Sequence, residues 1–131
     1  MQHEQAVALV ATASSPKVQA DFSGTWKNDL ENSHMTLVQS GQTLSGEFTS
    51  PDGNGSTITG PLIGWADGNI ISFTVNWPNP SITAWTGHLV TENDADAVES
   101  LWNLALPMND PSDSSKLWTA MFAGSDRFTR D

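Results

Sequence analysis

The chain has 131 residues, enough for one domain that buries a hydrophobic core without covalent crosslinks. It contains no cysteine, which excludes disulfides, thiol catalysis and thiolate metal sites. Fifteen acidic residues against five Lys and Arg give a formal charge of -10, which argues against nucleic acid and anionic membranes as partners. Six tryptophans, ten glycines and the lack of a long helical period after the first residues predict an all-β protein.

The first 20 residues differ in composition from the rest of the chain. The apolar run 6–13 is too short to span a bilayer, and Val18-Gln19-Ala20 resembles a small-residue cleavage site. We interpret residues 1–20 as the remnant of a secretory signal, which predicts a secreted or periplasmic protein. Residues 1–5 contain no Lys or Arg, so a disordered N-terminal extension is the alternative. On either interpretation the folded domain covers residues 21–131.

Turn signals divide the domain into short strands. Clusters of Gly, Asn, Asp and Pro separate segments in which apolar and polar residues alternate. The turn-rich segment 51–55 is predicted to be a mobile loop, and 107–116 a longer loop before the last strand. The predicted strands cover residues 23–28, 34–39, 43–50, 56–66, 69–77, 81–91, 98–106 and 121–129.

Eight sequential strands with short links predict a closed, antiparallel, up-and-down β-barrel. Closure pairs both edge strands, and eight strands leave room for one small ligand. A β-sandwich is the alternative, but it needs long crossover connections. The one long connection here, 107–116, lies between the last two strands.

The strand at 81–91 has two chemically different faces. One face carries Ser81, Thr83, Trp85, Gly87 and Leu89. Hydroxyl groups and an indole on a face that should be core indicate a pocket for a ligand that is part polar and part apolar. A core strand that tolerates hydroxyl groups explains the pattern equally well, so this strand alone leaves both interpretations open.

Other strands add aromatic walls and polar ends to this face. Phe73, Val75 and Trp77 share one face, as do Trp102, Leu104 and Leu106, and we expect Phe73, Trp85 and Trp102 to form the walls. We interpret Trp26 and Trp77 as core, and Trp65 as core or interface. Polar residues at the strand ends need partners if they are buried, and a ligand would supply them. They are Asn28, Ser33, Ser50, Thr83 and Asp126.

Four segments and one isolated tryptophan form an ordered pattern. They are Gly24-Thr25-Trp26-Lys27-Asn28-Asp29-Leu30, Phe73-Thr74-Val75-Asn76-Trp77, Thr83-Ala84-Trp85-Thr86-Gly87, Gly124-Ser125-Asp126-Arg127-Phe128-Thr129, and Trp118, eight residues before Asp126. In this order, residues 21–131 resemble the avidin and streptavidin family of biotin-binding proteins. The resemblance implies an eight-stranded barrel that binds biotin non-covalently and with high affinity in its open end, and that is not an enzyme.

The resemblance also implies how the ureido ring would be held. Asn28 and Ser33 would donate hydrogen bonds to the ureido oxygen. Asp126 and Ser50 would accept hydrogen bonds from the two ureido N–H groups. Donors and acceptors that act on the same ring strengthen one another.

The rest of the implied site encloses the bicycle, the tail and a neighbouring subunit. The residues around the bicycle are Thr83 at the thioether sulfur, the walls Phe73, Trp85 and Trp102, and Leu104 at the floor. The backbone N–H of Asn54 and the side chain of Ser81 would bind the valerate carboxylate. Trp118 would cap the pocket of a neighbouring subunit, which predicts a homo-oligomer, with a tetramer favoured over a dimer.

Two features depart from the family pattern. Phe48 stands where the family usually has a tyrosine, so a third donor to the ureido oxygen is missing. The loop 30–33 is also one residue longer than usual. The choice of Ser33 over Asn32 therefore rests on alignment of the following Met35-Thr36.

Two other functions remain open at this point. One is a barrel that binds a different small ligand. The other is a hydrolase that uses Asp126 with His34 or His88, although the sequence has no nucleophile motif, paired acids or phosphate loop. His3, His34 and His88 lack metal-ligand spacing, so we expect no metal and no cofactor, with biotin or biotinylated molecules as the ligands.

Overall fold

Eight strands form a closed barrel in the computed structural model, which describes residues 1–10, 18–28, 30 and 32–131. Each strand pairs antiparallel with the next, and the last returns to the first through Trp26↔Arg130 and Lys27↔Thr129. The up-and-down barrel is therefore confirmed and the sandwich is wrong. The strands are β1 (Gly24–Asn28), β2 (Ser33–Ser40), β3 (Thr43–Pro51), β4 (Thr57–Asp67), β5 (Ile70–Trp77), β6 (Ser81–Glu92), β7 (Ala95–Ala105) and β8 (Met121–Arg130).

The link between β6 and β7 is tighter than predicted. Glu92 pairs with Ala95, and Asn93 and Asp94 have φ values of 52° and 62°. Two consecutive positive φ values make a type I′ turn, whose twist matches that of the flanking strands. Asn and Asp tolerate this backbone conformation, so β7 begins at Ala95 rather than at residue 98.

Two helices lie where no helix was predicted. The N-terminal helix α1 (His3–Val10) has no buried residue, and the 3₁₀-helix η1 (Ser114–Ala120) precedes β8. The side chain of Asp113 accepts a hydrogen bond from the backbone N–H of Ser115 and caps η1. Within the described residues, no helix is long and apolar enough to cross a membrane. Residues 11–17 of the predicted signal remnant, and Asp29 and Glu31 of the predicted loop, lie outside the described residues.

One end of the barrel is closed by the segment that precedes β1. Phe22 is fully buried there, and its carbonyl oxygen accepts a hydrogen bond from Trp26 Nε1 at 2.9 Å. Gln39 binds the same segment, since its side chain accepts from the backbone N–H of Phe22 and donates to the carbonyl oxygen of Ala20. The backbone N–H of Ala20 donates to Gly68 in the β4–β5 turn. The opposite end, where β1, β3, β5 and β7 finish, is left for a site.

Candidate ligand-binding site

The barrel interior opens into a cavity of about 220 Å³. Its apolar wall includes Phe48, Ile58, Trp77, Trp85, Trp102 and Leu104. Its polar groups are Ser50, Asn79, Ser81, Thr83 and Asp126. Mostly apolar walls with a few placed polar groups suit one small organic ligand. The prediction that one face of β6 looks into a pocket is confirmed, because Ser81, Thr83 and Trp85 are all buried and all lie on the wall.

The carboxylate of Asp126 is the one ionisable group among the described residues of the wall. Trp85 Nε1 donates to its Oδ2 at 2.8 Å, and Asn28 Nδ2 donates to its Oδ1 at 3.1 Å. Burial raises the pKa of Asp126, and the hydrogen bonds from Trp85 and Asn28 oppose that rise only in part. Both donors are neutral. The carboxylate therefore keeps unused acceptor capacity facing the cavity.

Asn28, which contacts this carboxylate, and its cross-strand neighbour Ser33 are two further donors. The Oδ1 atom of Asn28 accepts from the backbone N–H of Leu30 at 3.1 Å, so its amide NH₂ points to Asp126 and has one N–H left over. Ser33 is directly across from Asn28 in the β1–β2 pairing. Its Oγ is the one buried side-chain polar atom, among the described residues, that has no hydrogen-bond partner. Neither side chain forms part of the cavity wall, although Asn28 contacts the wall residue Asp126.

An unpartnered buried hydroxyl is costly, by about 1 to 3 kcal/mol. Native proteins retain few such groups, and each one needs an explanation. The explanation that fits this position is a ligand acceptor that reaches Ser33 and Asn28 together.

Phe48 holds the aromatic part of the wall in place. Its ring stacks on Trp85 with centroids 4.8 Å apart and meets Trp77 edge to face at 5.6 Å. Phe73 also stacks on Trp85, at 4.9 Å. These contacts fix the indole plane that aims the Trp85 N–H at Asp126.

Phe73 and Trp77 exchange the places predicted for them. Phe73 is buried but lies outside the cavity wall, where its ring supports Trp85. Trp77, interpreted as core, lies on the wall and donates from Nε1 to Thr83 Oγ1 at 2.9 Å. Trp77 is the last residue of β5, two inward positions nearer the mouth than Phe73. The short link of three residues, 78–80, was the sequence signal for this position, because it makes Trp77 pair with Ser81 at the mouth.

The mouth of the cavity is also built differently from the prediction. Asn54 is exposed, lies off the wall, and its backbone N–H already donates to Asp52 Oδ1 at 2.7 Å. Asn79, which lies between β5 and β6, is on the wall instead. Ser81 Oγ donates to Asn79 Oδ1 at 3.0 Å, which leaves the Asn79 amide N–H groups available. Ser50 is on the wall as predicted, half-buried at the end of β3.

Comparison with known proteins identifies the chain. The family model for the avidin family matches residues 16–131. The chain belongs to the avidin family. Afifavidin of Afifella pfennigii is 31% identical over 146 residues, which cover 95% of this chain and 87% of the relative.

Solved structures agree with this assignment. A crystal structure of a rhizavidin–biotin complex is 28% identical with a TM-score of 0.65, and the match covers 83% of this chain and 91% of that chain. A crystal structure of a short afifavidin–biotin complex is 31% identical with a TM-score of 0.64, covering 83% of this chain and 88% of that chain. The predicted resemblance to the family is confirmed.

The remaining candidates of this avidin-family chain lie away from its own cavity. Trp118 is on η1, is 75% exposed and does not line the wall. Leu106 follows the end of β7 and is 40% exposed, so it does not share the inward face of Trp102 and Leu104.

The histidines named for the hydrolase alternative also lie apart from Asp126. His34 and His88 are exposed, and each occupies the outward parity of its strand. Neither supplies a base beside the carboxylate, so the structure gives the hydrolase hypothesis no support.

The raised pKa of Asp126 predicts how stability depends on pH. A folded-state pKa above the unfolded value favours folding only at low pH, and this contribution is lost as pH rises through the folded pKa. Asp126→Asn removes the ionisation. The free energy of unfolding of the variant, minus that of the parent, should therefore increase with pH and level off above the raised pKa. Urea unfolding between pH 4 and 7.5 measures this difference.

Asp110 provides a control of opposite sign. Hydrogen bonds from Ser112 lower the pKa of this exposed carboxylate. Asp110→Asn should therefore lose stability relative to the parent as pH rises toward the ordinary value of 3.8, and the difference should be nearly constant over the range in which that of Asp126→Asn increases. A difference for Asp126→Asn that stays flat, or follows the Asp110→Asn trend, would contradict the burial argument.

Proposed function

We propose that this chain binds biotin non-covalently in the cavity at the open end of its barrel. One observation carries the proposal: the buried acceptor Asp126 contacts Asn28, which has an unused N–H, and the unpartnered hydroxyl of Ser33 lies directly across the strand pair from Asn28. A cyclic urea presents two N–H donors and one carbonyl acceptor along one edge. The ring and the protein groups are therefore complementary. The family membership and the two biotin complexes among its solved relatives support the same ligand.

The ureido ring would occupy the polar end of the cavity. Asn28 and Ser33 donate to the ureido oxygen, and Asp126 and Ser50 accept from its N–H groups. The bond to Asp126 is charge-assisted and lies in a dry, aromatic environment, where such bonds are strong. A ligand N–H also offsets the desolvation that raises the pKa of this carboxylate.

The bicycle and the tail would extend toward the mouth. Trp85, Trp102 and Trp77 form the aromatic walls, with Trp77 in the place predicted for Phe73. Thr83 meets the thioether sulfur, and Leu104 closes the floor. At the mouth, Asn79 and Ser81 replace the backbone N–H of Asn54 as the groups nearest the valerate carboxylate.

Binding would proceed without catalysis. Asp126 contacts two neutral donors, and the histidines that could assist it face outward. A carboxylate in this setting accepts hydrogen bonds, and no serine or threonine hydroxyl among the described residues is bonded to it for activation. The ligand is therefore released unchanged.

A biotin titration tests the function. Calorimetry or tryptophan fluorescence should show saturation at one biotin per chain. Asp126→Ala removes the charged acceptor and should weaken binding by about 1.5 to 3 kcal/mol. Asp110→Ala, which removes an exposed carboxylate far from the wall, should leave affinity unchanged. If the parent does not saturate with biotin, the proposed ligand is wrong; if folded Asp126→Ala binds normally, Asp126 has no role.

Phe48→Tyr should slow the release of biotin. Phe48 lies on the wall, and a hydroxyl on its ring adds the third donor that the family usually has. One ordinary hydrogen bond contributes about 1 kcal/mol, or about fivefold in the dissociation rate. Stopped-flow displacement measures that rate. Equal rates for Phe48→Tyr and the parent would count against the missing-donor account.

We also propose a homo-oligomer, with a tetramer favoured over a dimer, in which Trp118 caps the pocket of a neighbouring subunit. Trp118 is a large exposed side chain on a short helix next to β8. The outside of β4 adds Ile63 and Trp65, which are 69% and 65% exposed. Exposed apolar groups of this size mark interaction surfaces.

The signal-like residues 18–20 support a secreted or periplasmic location.

Trp118→Ala should weaken both biotin binding and subunit association. Central aromatic residues contribute at least about 2 kcal/mol to interfaces of this kind. Sedimentation equilibrium with and without biotin measures association, and calorimetry measures affinity. Trp65→Ala is the matched control, because it removes an exposed indole with no proposed ligand contact and should leave affinity intact in the assembled protein. A Trp118→Ala variant that loses affinity without losing association would place the indole over its own pocket.

A further inference from the structure

The loop between β3 and β4 carries an exposed Asn-Gly pair beside the mouth of the cavity. Asn54-Gly55 is the one Asn-Gly pair in the sequence, and both residues are exposed. Pro51 at the end of β3 and Ile58 near the start of β4 flank the loop, and both line the cavity wall. A charge that forms at Asn54 would therefore stand at the rim of the ligand cavity.

Asp52 fixes the conformation of this loop. Its Oδ1 accepts from the backbone N–H of Asn54 at 2.7 Å and from that of Ser56 at 3.1 Å, and its own N–H donates to the carbonyl oxygen of Ser56 at 3.0 Å. The backbone N–H of Gly55 lies between these two bonded groups and makes no hydrogen bond with the described residues. Gly55 has no side chain to shield its nitrogen, and its φ is 82°. The nitrogen next to the Asn54 side chain is therefore accessible.

We propose that Asn54 is a site of spontaneous deamidation, and that the carboxylate it forms weakens the binding of ligands with an anionic tail. The backbone nitrogen of Gly55 attacks Cγ of Asn54 and closes a succinimide ring. The Cγ–Nδ2 bond breaks, and ammonia leaves with the proton of the Gly55 amide. Water then opens the ring to aspartate, or to isoaspartate when it attacks the backbone carbonyl carbon. One water is consumed and one ammonia released, so no oxidant or reductant takes part.

Two other exposed asparagines lack the glycine neighbour. Asn79 precedes Pro80, whose nitrogen has no hydrogen to lose, so this route to a succinimide is closed there. Asn93 lies on the tight β6–β7 turn and precedes Asp94, whose side chain hinders the attacking nitrogen. We therefore expect Asn54 to react before either of them.

The effect on binding rests on the proposed function. A ligand carboxylate near Asn79 and Ser81 would meet a second negative charge at the same rim, because an exposed aspartate is ionised at neutral pH. The two charges repel, and salt screens the repulsion. A ligand with a neutral tail is not affected. Charge at Asn54 therefore changes the ratio between the two ligands, whereas a general loss of loop structure lowers both affinities together.

Peptide mass spectrometry tests the chemical step without any ligand. Parent protein held for several days at mildly alkaline pH should gain aspartate and isoaspartate at position 54, more slowly at position 93, and not at position 79. Alkaline pH favours the step because the Gly55 nitrogen must lose its proton to attack. Asn54→Gln is the control, since its longer side chain closes a less favourable ring and should stay unmodified. An unmodified Asn54, or one converted no faster than Asn93, overturns the proposal.

Displacement calorimetry with biotin and with biotin methyl ester tests the consequence. Asn54→Asp should bind biotin about two- to fivefold more weakly than the parent does, and should bind the methyl ester equally well. The difference should shrink in high salt. Asn93→Asp adds the same charge at the β6–β7 turn, at the closed end of the barrel, and should leave both affinities unchanged.

The two experiments separate the possible failures. A ratio of the two affinities in Asn54→Asp equal to that of the parent, or a change that Asn93→Asp reproduces, overturns the effect on binding. If the parent saturates with neither ligand, the proposed function is wrong, while the mass of the peptide that contains position 54 still decides the chemical step.

Discussion

The buried carboxylate of Asp126 organises the polar part of this barrel. Its partners, Trp85 and Asn28, are neutral donors, so no cation satisfies its charge and burial raises its pKa. A cation at this position would have neutralised the group and removed its demand for a further donor. The aromatic cluster serves the same geometry, because Phe48 and Phe73 fix the indole whose N–H reaches the carboxylate. The packing around Trp85 and the hydrogen bonds from Trp85 and Asn28 thus converge on the side chain of Asp126.

Closure of the barrel is the reason that these buried polar groups keep unused hydrogen-bonding capacity. Phe22 and the segment before β1 close one end of the barrel. Ladder bonds on both edges of every strand hold the inward side chains at fixed spacings. Within this closed sheet, the buried Ser33 Oγ has no hydrogen-bond partner among the described residues. The stable packing of the closed end therefore supports an open end in which buried polar groups keep unused hydrogen-bonding capacity.

Which face of a strand points inward could be predicted from the sequence, but depth along the barrel could not. Period-two alternation placed Ser81, Thr83 and Trp85 on one buried face, as the structure has them. Phe73 and Trp77 have the same parity, and the choice between them depends on strand tilt and stagger, which are properties of the whole closed sheet. Asn54 lies off the wall for a local reason, because its backbone N–H donates to Asp52 Oδ1 within the loop. The helix η1 begins after an Asp113 cap, a signal that the prediction of a loop over 107–116 did not use.

At position 48, a hydroxyl that would help to bind a ligand competes with the stability of the protein without ligand. A tyrosine hydroxyl there would serve a ligand oxygen, but without a ligand it would be a second buried polar group near the unpartnered Ser33. A phenylalanine avoids that cost and still stacks on Trp85. Thr83 resolves the same conflict differently, because Trp77 occupies one lone pair of its hydroxyl and reduces the cost of burial. The open end therefore contains polar groups that the protein itself partners, such as Thr83, and one buried hydroxyl, that of Ser33, with no partner among the described residues.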